Sequence, residues 1–75
     1  MPSPLAASTA RIAALPDQTH AMRHYITTMQ RLVEVEALPT SVPDRVARIE
    51  SLGIAMRRQW VRMTEAEHDA INAVA

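Results

Sequence analysis

The sequence predicts an all-α protein, an antiparallel helical hairpin over about 17–37 and 42–63 with short flanking helices at both ends. Strong helix formers dominate a chain of 75 residues that holds one glycine and no phenylalanine, a composition that disfavours a sheet. Apolar residues recur at intervals of three and four over two long stretches, the signature of amphipathic helices. The prolines at positions 2, 4, 16, 39 and 43 fall between those stretches, where a missing amide does least harm.

Segment 3–15 opens with Ser3 as an N-cap and Pro4 at the first helical position, and Leu5, Ile12 and Leu15 form a thin apolar stripe. Segment 17–37 carries Met22, Tyr25, Ile26, Met29, Leu32 and Val33 on one face. Leu38 to Pro43 must turn the chain, and Ser41 with Asp44 three residues later has the form of a capping box. A second long stripe follows, through Val42, Val46, Ile49, Leu52, Met56, Trp60 and Met63, with Gly53 beside it as a place for another helix to approach. Thr64 and Glu67 form a second capping box, which predicts a bend and a fresh helix to the end of the chain.

A short connection between long helices implies an antiparallel pair. Counting outward from a turn near Thr40 sets Tyr25 against Met56 and Met22 against Trp60, so that each aromatic meets a thioether. Two helices cover each other on one side only, so the terminal segments, a second copy or another protein must cover the rest. Residues 1–75 form one small domain, near the size where a single core only just outweighs conformational entropy.

Composition narrows the function. Cysteine is absent, which excludes disulfides, thiolate metal sites and cysteine nucleophiles. Eight arginines balance eight acidic residues and lysine is missing, so no net field draws the chain to nucleic acid or anionic lipid. No run reaches the roughly 18 apolar residues of a membrane span. Arg11 follows rather than precedes the first apolar residues, unlike a signal peptide, and a soluble, cytoplasmic protein is expected.

Three surfaces are candidates for chemistry. Asp17, His20 and His24 are spaced three and four apart, so a helix would place them on one face as metal ligands, with His68 as a fourth if the last segment folds back. The bland reading of the same residues is an exposed polar face with Asp17 near a helix N-terminus. Arg48, Arg58 and Arg62 form a basic strip within about 80° on the second long helix, suited to an acidic partner or nucleic acid. Beside it, Ala47, Ile54 and Val61 repeat every seven residues, displaced from the main stripe. A helix apolar on two sides suits insertion between neighbours.

The serines are explained by caps and exposed helix positions, and a single glycine leaves no phosphate-cradling loop, so neither an enzyme nor a cofactor is expected. The stretch RQWVRMTEAEHDAINAVA, residues 58–75, resembles the ribbon-helix-helix repressors, in which a short strand precedes a threonine-capped helix. Helical spacing runs straight through Trp60 and Met63, however, and no DNA-reading residue is carried over. The expected role is a small protein-binding regulator, inhibitor or accessory subunit, homodimeric or bound to another protein. Its contact surface is Ile54, Arg57, Arg58, Val61, Arg62 and Met63. The alternative is a nucleic-acid-binding regulator using Arg48, Arg58 and Arg62.

Overall fold

The computed structural model describes residues 3–75, and Pro2 lies outside them. The described chain is all-helical, in the order α1 (Pro4–Ala13), α2 (His20–Glu36), α3 (Arg45–Arg62) and α4 (Glu65–Asn72). The long pair α2 and α3 pack as the hairpin, and α1 packs on α2. The molecule is a slab measuring 39 × 27 × 15 Å.

Local sequence explains most helix ends. The Ser3 hydroxyl accepts from the amide of Ala6 at 3.1 Å, with Pro4 following as expected. At the far end of α1 the Gln18 side-chain amide donates to the carbonyls of Ala13 and Leu15 at 2.9 and 3.0 Å. Helix α2 starts later than the sequence pattern suggests. Asp17 takes a left-handed φ of 54°, a conformation that aspartate tolerates better than most residues, and Thr19 is the N-cap, accepting from Met22 N at 3.1 Å.

The second long helix also starts later than expected, at Arg45 rather than Val42. Its cap residue Asp44 makes no side-chain capping bond, so the capping box expected from Ser41 and Asp44 does not form. Successive turns, with Val42 N donating to Pro39 O and Arg45 N to Val42 O, occupy that stretch instead. Arg45 then reaches back across the turn and donates to the carbonyls of Leu38 and Glu36 at 3.1 and 2.9 Å, satisfying acceptors at the α2 C-terminus.

At the end of α3 the backbone of Met63 is extended, and Thr64 opens α4 with both halves of the expected capping box. Thr64 N donates to Glu67 Oε1 at 2.8 Å and Glu67 N to Thr64 Oγ1 at 3.2 Å. Residues 58–62 belong to α3, so the strand of the ribbon-helix-helix resemblance is not formed.

The core collects where α2 begins. Ile12, Met22, Ile26, Met29, Met63 and Ile71 form one buried cluster drawn from α1, α2, the α3–α4 junction and α4. Thr9 and Thr28 are also buried, and each satisfies its hydroxyl by donating to a carbonyl one turn back, Leu5 O at 2.7 Å and His24 O at 3.1 Å.

Candidate functional surface

Helix α3 is the longest element, yet none of its residues is buried. Its inner side, including Met56 and Trp60, is partly covered by packing on the core cluster. The outer side carries Val46, Ile54 and Val61 at 64%, 44% and 78% exposure. Val46 was expected in the core stripe. It lies in the first turn of α3, where none of the described residues buries it.

Tyr25 faces Trp60, with ring centroids 5.6 Å apart and planes tilted by 48°, and Met56 lines the same groove. Tyr25 and Met56 thus share a groove as expected, and Met56 and Trp60 both pack on the cluster that holds Met22, while the direct contact of Tyr25 with Trp60 adds to the expected pairing. Partial burial pushes the Tyr25 hydroxyl above its ordinary pKa. The other side of Trp60 stacks on His68, with centroids 4.1 Å apart and planes 17° from parallel, while His68 Nε2 donates to the Trp60 carbonyl. Nothing in the local sequence pattern signals this stack, since it joins two helices across a bend.

An apolar groove of about 390 Å³ runs along one flank of α3, lined by Tyr25, Leu32, Gly53, Met56, Trp60 and Val61, with Arg57 at its edge. A Cβ placed on Gly53 would meet nothing within 4 Å. The close helix approach expected at Gly53 is not made among the described residues.

The structure sorts the candidate contact residues. Ile54, Arg57, Arg58, Val61 and Arg62 are all exposed on α3. Met63 is 5% exposed and belongs to the core cluster, so it offers no contact surface. Of the basic strip, Arg58 and Arg62 stand free of the core, whereas Arg48 lines a second groove together with Arg31 and the acidic Glu34 and Asp44. Two arginines and two carboxylates there balance each other, so the groove has no net positive charge to draw a phosphate.

The metal-ligand geometry does not form as the sequence suggested. Asp17 precedes the Thr19 cap and so is not on the helix face that carries His20 and His24. The two histidines line a shallow groove with Arg23 and Arg31, whose positive charge opposes a bound cation. The last segment does fold back, for the Thr19 hydroxyl donates to Glu67 Oε2. His68, however, is committed to Trp60, and no three histidine or carboxylate side chains gather to hold a metal among the described residues.

Glu67 joins two helix starts. Its carboxyl is held below the usual carboxylate range, first by the hydrogen bond from Thr19 and then by the Thr64 amide. Arg11 fastens α4 from the other side, donating to Val74 O at 2.9 Å. No helix among the described residues is long and apolar enough to cross a membrane. Searches with this chain match no family model, no curated protein and no solved structure.

Proposed function

We propose that the chain is a non-enzymatic accessory or regulatory subunit that docks on protein through the outer face of α3. The observation that carries this reading is the contrast within α3, an 18-residue helix with no buried residue and with Val46, Ile54 and Val61 in solvent. The whole chain exposes 5178 Å², where a compact monomer of this mass would expose about 4,600 Å². Its radius of gyration of 12.8 Å exceeds the about 11 Å of a compact chain of this length. Arginines beside an apolar strip supply the mixed chemistry that protein interfaces favour.

Site-specific photo-crosslinking tests the reading. With benzoylphenylalanine in place of Val61, irradiation in cells is expected to yield protein adducts, and the same group in place of the exposed Thr27 on α2 is expected to yield none. Equal labelling from both positions, or no adduct from position 61, would overturn it. So would tight binding to duplex DNA with a steep salt dependence that Arg58→Ala with Arg62→Ala abolishes.

A further inference from the structure

The outer face of α3 is complementary to itself. At 100° per residue, Val46, Glu50, Ile54, Arg57 and Val61 lie within about 80° of one another, and all five are exposed. Their order along the helix is symmetric about the midpoint between Gly53 and Ile54. Val46 and Val61 are equidistant from that point, and so are Glu50 and Arg57.

A two-fold axis at this midpoint would lay two copies of α3 antiparallel. It would bring valine to valine and glutamate to arginine twice over, with each Ile54 over the other copy's Gly53. Gly53 is open above its Cα and floors the end of an apolar groove with Met56, Trp60 and Val61. An isoleucine side chain from outside has both the space and the apolar walls it needs.

We infer that the occupant of this face is a second copy of the chain, in an antiparallel α3–α3 homodimer centred between Gly53 and Ile54. The inference rests on the docking reading above and names its partner. The argument is charge and shape complementarity in one register. Glu50 meets the partner's Arg57, the three large exposed apolar side chains of α3 are covered together, and the open space at Gly53 is filled. A shift of the register by one heptad in either direction removes the glutamate–arginine pairing and sets Val46 or Val61 beyond the contact.

Charge exchange tests register and partner together. Sedimentation of the full chain over a concentration series is expected to give a reversible dimer. Glu50→Arg alone and Arg57→Glu alone should each raise the dimer Kd about tenfold or more by setting like charges opposite. Glu50→Arg with Arg57→Glu in one chain should restore dimerisation, which a merely destabilising substitution would not do.

The chain has no cysteine of its own, so an oxidised equimolar mixture of Glu50→Cys and Arg57→Cys chains should form the mixed disulfide, with little from either chain alone. A chain that stays monomeric to millimolar concentration, or a double exchange that fails to restore the dimer, overturns the inference. If position 61 still crosslinks to a different protein in that case, docking through α3 stands and only self-association falls. If position 61 yields no adduct, both fall.

Discussion

Where α2 begins, Met22, Ile26 and Met29 are enclosed by Ile12 of α1, Met63 at the end of α3 and Ile71 of α4. Toward the turn the same hairpin has α3 carrying Val46 and Ile54 in solvent, and Gly53 with open space above it. The two regions use similar residue types at the same helical spacing. They differ in how many neighbours the chain supplies, so apolar periodicity alone does not decide burial. The inner side of the hairpin, buried on α2 as far toward the turn as Leu32 and Val35, holds this small fold together, and the outer face of α3 is free to be completed by something else.

The largest effects should come from the packed inner side. Ile26→Ala removes most of a buried side chain and is expected to cost about 2–5 kcal/mol, enough to unfold much of a domain this small. Val46→Ala should stay within about 0.5 kcal/mol. Urea titration followed by circular dichroism at low micromolar concentration compares them, and equal losses would erase the distinction between the two sides.

His68→Ala probes the border, where the imidazole both stacks on Trp60 and donates to its carbonyl. A loss of about 2 kcal/mol is expected from the two contacts together, with faster amide exchange in α4 and unchanged exchange in the middle of α2. Uniformly faster exchange would mean that α4 is not a separately anchored element.

On the flank of α3, Gly53→Ala should stabilise the monomer by up to about 1 kcal/mol through helix propensity, since its Cβ meets nothing. The same substitution should weaken self-association. A destabilised monomer would show that the space above Gly53 is filled within one chain.

The smallest effect expected is a pH dependence from Glu67. Its carboxyl is depressed in the folded state, so its contribution is complete above the ordinary carboxylate pKa and is lost as pH falls through the folded value. Stability should therefore decline on acidification through the range below the ordinary carboxylate pKa, and Glu67→Gln should flatten that decline. An unchanged profile in the variant would assign the acid sensitivity to other carboxylates.

The sequence was most legible where the physics is local. The Ser3 cap, the Thr64–Glu67 box and the bend at Met63 follow from residues within one turn of each other. The start of α2 is not legible, because helical periodicity extends naturally back to Asp17 while the left-handed φ of that residue interrupts the helix. Arg45 returning to the α2 carbonyls and His68 stacking on Trp60 leave no trace in spacing, because each depends on where another element folds. The outer apolar strip of α3 was readable as a surface, but a stripe marks a side that gains from cover without naming the cover. Met63 shows the converse, a residue assigned to a contact surface that the bend after α3 turns into the core.

The side-chain bonds that fasten α4 to α1 and α2 also bear on the order in which the molecule assembles. Thr19 to Glu67 and Arg11 to Val74 join residues 48 and 63 positions apart, and closing loops of that length costs about 3–4 kcal/mol in chain entropy before any contact is repaid. The hairpin closes a much shorter loop, so α4 is expected to dock after it. Trp60 is the only tryptophan and lies between Tyr25 of α2 and His68 of α4, so its fluorescence reaches its final value only when α4 has docked. In refolding it should lag the far-ultraviolet helix signal; a fluorescence change in step with helix formation would place docking within the first collapse.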